Sequence, residues 1–559
     1  MNRVGRGWRL LLRSRWGRSL LLTLACAVPA GVEAGVVYYA GGLRQTVYIS
    51  PQASALWPYD TFHDLRWVMV YHRSWAGFVW ESAAAILARG LFCTLLTALA
   101  WPAQVPRPPL LRLATRNLVF AAALGAFLSP WAAMSVVLAD VSLSWYLLGE
   151  IAPVLIMAPF LLRGALVPGW WRGLPSAGIV ALSLLNFVTI TASSALVAFV
   201  PAGARVPVAT LLGGANGLLW ERAVRIAAVH RPAHWRRVPV MPIVVAAVVG
   251  LMFAIGTVSE VGLEKRPRDE PPALAAIEAR AMHQPVIFLA GYDSRYEGQP
   301  SGSTLPVLRY SYSGLYPDGR PRPYTAATTH QSLVTSARLL AQQIDQVHHA
   351  TGQKVALLAE SEGTLITRYY LTMMPHPAVD TVALLSPILR AGRTYFPPPH
   401  LHAGWGVATG WELRAIFTVL GVASRLPNSV DEPFIRSLLD NAPLFRGKQM
   451  LCPVTGVRMI AFVPTLDAAA NPPGLHADIP VVNVVGLHGL LIDKPLAQQR
   501  LVTFLNQGQP QPRQRWDYTA IQNAGAAWQA PALKVQLNPV WKTVAGKSTH
   551  DYGAACFVR

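Results

Sequence analysis

Seven apolar runs before Arg280 limit what this chain can fold into more than any other feature. They cover residues 19–40, 77–101, 118–139, 146–167, 178–200, 207–224 and 239–258. Each is close to the ~20 residues that an α-helix needs to cross a hydrocarbon core. No such run follows Arg280. Composition points the same way: 52% of the 559 residues are hydrophobic and 14% are charged, against roughly 25% charged in typical soluble domains. A polytopic helical membrane domain over 1–258 is expected.

The net charge of +20 comes from 48 Lys and Arg against 28 Asp and Glu. A nucleic-acid binder gathers its basic residues on one folded face, whereas here many lie between apolar runs, so no nucleic-acid partner is expected. Basic loops are instead retained on the cytoplasmic side of a membrane. The N-terminal segment carries Arg3, Arg6, Arg9, Arg13, Arg15 and Arg18 with no acid and should stay inside. Counting outward, Arg107, Arg112 and Arg116 fall inside, as do Arg172 and the cluster Arg222, Arg225, Arg231, Arg236 and Arg237. The loop at Asp140–Ser144, which has no basic residue, falls outside. The sixth run is short and broken by Gly213, Gly214 and Asn216. Omitting it would put the 222–237 cluster outside, so seven helices are kept.

That count places the second half outside a bacterial cytoplasmic (inner) membrane, with the N-terminus in the cytoplasm. The first run reads as an uncleaved anchor. "VEAG" at Val32–Gly35 only faintly matches a signal-peptidase site, and "TLAC" ending at Cys26 is a poor lipobox. Glu81 and Arg89 lie inside the second run. Ionisable groups at membrane depth suggest function, but these two also fit an interfacial position or a pair with each other.

After Val258 the texture changes to "EKRPRDEPP", a charged, Pro-rich stretch that cannot continue a helix and reads as a linker over 259–284. From Pro285 onward, short β-branched runs alternate with helical ones, which indicates an α/β domain with a mostly parallel sheet. The expected strands are "VIFLAG" at 286, "VLRYSY" at 307, "KVALLAES" at 354, "DTVALLSP" at 380, "VRMIAFVP" at 457 and "PVVNVVG" at 480. Leu333, Ala337, Leu340, Ile344 and Val347 recur at helical spacing and mark a crossover helix.

The third strand runs into "AESEG" and then "TLITRYYLTMM". This is a G-x-S-x-G nucleophile elbow with Ala359 in place of the first Gly, Ser361 at its apex and Gly363 after it. A serine held in a strained strand-to-helix turn needs small neighbours because backbones crowd there. With "VIFLAGYDS", "VLRYSYSG" and "VVGLHGLLIDKPLAQQRLVTFL" in the same order, residues 285–506 resemble the α/β-hydrolase family, in particular its lipase-like members. The membrane half carries no comparable resemblance.

The resemblance implies Ser, acid, His in chain order. Asp467, directly after the strand at 457, is the expected acid; Asp478 and Asp380 precede strands rather than follow them. His488, after the last strand, is the expected base, with His476 as a competitor. An oxyanion hole is implied at the backbone N–H groups of Tyr292 and Glu362. Two departures stand out: Ala290-Gly291 replaces the His-Gly often found at the first donor, and the charged Glu362 follows the nucleophile. Neither removes a backbone donor.

Residues 391–452 exceed what a strand connection needs and resemble a cap or lid, although an extra packing helix fits as well. The domain then ends near 508, and 509–559 form a Gln- and Pro-rich tail in which no chemistry is legible. Cys26 and Cys93 lie in membrane runs, so Cys452 and Cys556 are expected to pair under oxidising conditions. No P-loop, G-x-G-x-x-G, paired CxxC or HExxH occurs, so neither cofactor nor metal is expected. The expected partners are the membrane and an acyl ester or lipid substrate. The alternatives are a polytopic transport or scaffold protein with a non-catalytic hydrolase-like domain, and an acyltransferase that uses the same residues.

Overall fold

A computed structural model describes most of residues 14–531. Residues 1–13, 142–150, 230–237, 251–283, 299–306, 472–476 and 532–559, with a few shorter stretches, lie outside the described residues. The linker, His476, Trp541 and Cys556 are therefore not described.

The N-terminal half is helical: α1 (Arg15–Gly35, extended by a π turn over Val36–Ala40), α2 (Tyr59–Tyr71), α3 (Trp75–Ala100), α4 (Leu110–Val141), α5 (Ala152–Leu161), α6 (Ala177–Phe199), α7 (Arg205–Val229) and α8 (Val240–Gly250). Four helices are long and apolar enough to cross a membrane: Trp16–Ala40, Trp75–Ala100, Leu110–Val137 and Ala177–Phe199. They match the first, second, third and fifth runs. The fourth and seventh runs contain only the short helices α5 and α8 among the described residues.

The sixth run lies in α7, and its small residues have a packing role. A Cβ on Gly213 would come within 2.3 Å of Ala30 Cβ, and one on Gly217 within 2.9 Å of Thr23 Cα. Glycine thus lets α7 lie directly on α1, as small residues do where membrane helices approach closely. The same residues weaken the hydrophobic signal of that run.

Between α1 and α3 the chain enters the bundle core. The 3-10 turn Val47–Ser54 is wholly buried, and so is most of α2. Asp60 and Asp64 of α2 receive Arg89 from α3: its Nε and Nη2 donate to Asp64 at 2.7 and 2.6 Å, and its Nη1 donates to Asp60 at 3.3 Å. The pairing of Arg89 with Glu81 considered from sequence is thus corrected. Asp60 and Asp64 lie in a segment too short and polar to register as a span, which hid them. His63 extends the network, with Nδ1 3.1 Å from Asp64 and Nε2 3.0 Å from Glu33 of α1.

The second half contains β1 (Val286–Leu289), β2 (Val307–Arg309), β3 (Val355–Glu360), β4 (Val379–Leu385), β5 (Arg458–Pro464) and β6 (Val481–Val484), in the order β2-β1-β3-β4-β5-β6. Every pairing is parallel, and all six strands fall where the sequence places them. A parallel sheet covered on both faces needs apolar residues on both, and β3 shows why its run is continuous. Val355, Leu357 and Ala359 enter the core against α9 (Leu333–Thr351) and α10 (Glu362–Met373), while Ala356 and Leu358 enter the core against α13 (Pro495–Leu505). The expected crossover is α9: Ser332 caps its start by accepting from Thr335 N–H at 3.1 Å, and Gly352 ends it at φ 69°.

Two segments tie the halves together. In the 391–452 insertion, α11 (Val407–Ser424) packs on the bundle. Ala408 N–H donates to His72 Nε2 at 2.9 Å, the Thr409 hydroxyl to the Met69 carbonyl at 2.7 Å, and the Ser129 hydroxyl to Glu412 at 2.7 Å. The tail forms α14 (Trp516–Ala526) and then enters the N-terminal helical bundle. There the Trp528 ring stacks on Phe187 at 4.9 Å and its Nε1–H donates to Thr191 at 3.1 Å. Arg66 Nη1 donates to the Ala527 carbonyl at 2.9 Å. Cys452 is disulfide-bonded, whereas Cys26 and Cys93 are free and buried.

Candidate active site

Along the sheet the strand order reverses between β1 and β3, since the chain runs outward to β2 and returns to β3 on the other side of β1. In open parallel sheets a crevice opens at such a reversal, beyond the carboxyl ends of the strands. The turns after β1 and β3 meet there. A Cβ on Gly291 would lie 2.9 Å from Ser361 Cβ, and one on Gly363 would lie 2.7 Å from the Leu289 carbonyl oxygen. These close approaches explain the small residues on both sides, and Ala359 is fully buried beneath.

Ser361 has φ 52° and ψ −115°, a backbone state that costs a non-glycine residue of order 1–3 kcal/mol and persists only where its surroundings enforce it. Its N–H donates to the Leu385 carbonyl at 3.1 Å, and the Thr364 hydroxyl and N–H donate to the Ser361 carbonyl at 2.6 and 3.0 Å. The turn is pinned on both sides. The side chain projects beyond the sheet from the N-terminus of α10.

Ser361 Oγ lies 2.9 Å from His488 Nε2, and His488 Nδ1 lies 3.1 Å from Asp467 Oδ2. His488 follows β6, and Asp467 lies in the 3-10 turn Thr465–Ala470 after β5. All three groups therefore sit on loops after β3, β5 and β6, at the same end of the parallel sheet. Asp467 Oδ1 is buried and has no hydrogen-bond partner among the described residues. Burial raises the Asp467 pKa above the usual carboxylate value, although the hydrogen bond and charge of His488 oppose the rise. Asp380 and Asp478 take no part in this chain of hydrogen bonds.

Among the described residues, neither the Tyr292 nor the Glu362 backbone N–H donates to a protein acceptor. Glu362 opens α10, where helix N–H groups have no intrahelical partner. Its side chain is buried. Burial pushes its pKa well above the usual range; Tyr312 and the charge of His330 lower it and the Asp293 charge raises it. The residue that read from sequence as a charge beside the nucleophile is thus a buried acid.

Two supports were not legible from the sequence. Ser386, after β4 with φ 48°, accepts from Gly489 N–H at 3.3 Å and so holds the His488 loop. Its positive φ in a "LLSP" stretch leaves no sequence signal. Tyr518 of α14 lies close enough to feel the Asp467 charge, with burial first among the causes that push its pKa up to about 12. The tail therefore backs the acid loop. Among the described residues no group of three or more His, Cys, Asp or Glu is arranged to hold a metal ion.

This geometry can activate a hydroxyl. A serine becomes a useful nucleophile when an imidazole accepts its proton and a carboxylate fixes the imidazole tautomer, and two free N–H groups beside it can receive a developing oxyanion. No family model and no curated protein matches the chain. Among solved structures, a crystal structure of Aspergillus fumigatus lipase B matches with 16% identity and a TM-score of 0.24, over 49% of this chain and 66% of that one.

Proposed function

We propose that the protein is a membrane-embedded serine hydrolase of the α/β-hydrolase type that cleaves carboxylic esters or thioesters, lipid esters included. The observation that carries this reading is the unbroken chain from Asp467 through His488 to Ser361, ending on a serine held in a strained elbow. Ser361 Oγ attacks the acyl carbonyl carbon while His488 Nε2 takes the hydroxyl proton. The oxyanion that forms accepts from the Tyr292 and Glu362 N–H groups. Collapse breaks the bond to the alcohol or thiol, which leaves with the proton from His488. Water, deprotonated in turn by His488, then releases the acid and restores Ser361.

The membrane domain of this reading spans 1–258 with seven crossings, the N-terminus cytoplasmic. The hydrolase domain, 285–508 with its cap at 391–452, lies outside a bacterial inner membrane, and Cys452 pairs there with Cys556. The bundle contacts made by the insertion support this side. They involve His72, at the start of the turn into α3 and at the opposite end of α3 from the Arg107–Arg116 connection. The test is hydrolysis of neutral p-nitrophenyl esters by the purified full-length protein in nanodiscs. Wild type should turn over, and Ser361→Ala should fall to the background rate. Equal turnover by both would remove Ser361 from the chemistry.

A further inference from the structure

The turn that presents the Tyr292 N–H is held by side chains the proposed chemistry does not use. Asp293 follows with φ 59°, a left-handed state that a residue with a Cβ keeps only when neighbours fix it. Its N–H donates to Thr329 Oγ1 at 3.0 Å, and its Oδ1 lies 2.6 Å from His330 Nε2. The other nitrogen of that ring, Nδ1, faces Glu432 Oε2 at 3.3 Å. The same Glu432 oxygen accepts from the Tyr292 hydroxyl at 2.7 Å. The Tyr292 ring lies flat on the imidazole, centroids 4.4 Å apart and planes 3° apart.

Three elements thus converge on one imidazole: the turn after β1, the 3-10 turn Ala326–His330, and the insertion, where Glu432 precedes α12 (Pro433–Asp440). A neutral imidazole carries one N–H and cannot donate to both carboxylates; an imidazolium can. The geometry matches the charged ring.

We propose that His330 is a positioning residue: clamped as an imidazolium between Asp293 and Glu432, it fixes the Tyr292 backbone N–H toward the oxyanion and couples that donor to the insertion. This inference rests on the reading of Ser361 as nucleophile. Burial of His330 opposes its charge, but the hydrogen bonds to Asp293 and Glu432 outweigh it and raise the pKa to about 9. Glu362 of α10 also feels the charge of His330, and burial favours that carboxyl in its neutral form. Loss of the proton breaks the ring's bond to one of the two carboxylates and frees the ring from one side of the clamp. The Tyr292 N–H then loses its aim, and a small misplacement of a catalytic group can cost on the order of 100-fold in rate.

The experiment uses the full-length protein in nanodiscs. It follows the rate of Ser361 labelling by a fluorophosphonate, with kcat and KM for p-nitrophenyl butyrate, from about pH 7 to about pH 10 to bracket the pKa of about 9. Wild-type kcat should fall as the pH passes about 9 while KM changes little. His330→Gln should lower kcat on the order of 100-fold, with KM near wild type and no alkaline fall. His330→Lys, which keeps a cation between the carboxylates, should recover part of the rate and move the fall to higher pH. If His330→Gln does not fold, Glu432→Gln serves: it removes one carboxylate and should shift the alkaline fall to lower pH. Wild-type kcat with an unchanged alkaline limb in His330→Gln, or an unchanged limb in Glu432→Gln, would overturn the inference and leave Ser361 standing. A wild type that never labels would overturn the reading beneath it.

Discussion

The two halves bury ionisable groups in different ways. In the N-terminal half the groups close on one another: Arg89 donates to Asp60, Asp64 and the Ala53 carbonyl, and His63 bridges Asp64 and Glu33. In the sheet half the chain from Asp467 through His488 ends at the Ser361 hydroxyl, beside N–H groups that donate to nothing in the described protein. A closed network pairs its charges with one another and holds helices in register. An open one leaves its last member reactive. The difference separates charges that satisfy one another from a chain that ends on a hydroxyl, although each holds a buried carboxylate, Asp60 in one and Asp467 in the other.

The comparison breaks most visibly at Asp467. Asp467→Asn should lower kcat by about 10⁴, because the imidazole then rests in the wrong tautomer. Its effect on stability should have the opposite sign. The folded pKa of Asp467 is raised, so the folded state holds this proton more tightly than the unfolded chain. The contribution of Asp467 to stability is therefore fully present below the ordinary value of about 4 and is lost as the pH rises through the folded pKa. The variant should melt at or above the wild-type temperature at neutral pH, with the difference fading in acid, as thermal unfolding at several pH values will show.

Arg89→Met should do the reverse. Removing one partner from a buried ion pair typically costs about 3–5 kcal/mol because the carboxylates stay buried and unmatched. The folded fraction should drop, while the rate of Ser361 labelling per folded molecule stays at the wild-type value. A labelling rate that falls with Arg89 would mean that the network in the bundle communicates with the site. The smallest effect belongs to Glu362→Gln. Because burial favours the neutral carboxyl, an amide of the same shape should leave kcat close to wild type at neutral pH, and a large loss would show that the side chain is ionised in the working site.

The strands and the elbow were legible because their signals are local. A parallel strand buried on both faces must be apolar at successive positions, as Val355–Ala359 are, and it was this strand before, and a helix after, that gave the serine between Ala359 and Gly363 its meaning as an elbow. Asp467 and His488 follow strands and could be placed by chain order. What stayed hidden depends on residues far apart in sequence. Asp60 and Asp64 lie in a polar segment that has no span signature. Arg66 meets the carbonyls of Ala527 and Gln529 only because the tail returns across the bundle. Asp293, His330 and Glu432 are ordinary loop residues until the fold brings them to one ring. Gly213 and Gly214 weakened the sixth run as a hydrophobic signal for the same reason that they suit it to close packing on α1.

The most direct test of the central claim is fluorophosphonate labelling of nanodisc-embedded wild type, Ser361→Ala and His488→Ala, with the modified peptide identified by mass spectrometry. The account predicts labelling of wild type on Ser361, none in Ser361→Ala, and a severe loss in His488→Ala. Folded wild type that remains unlabelled, or labelling that survives Ser361→Ala at another residue, would contradict it.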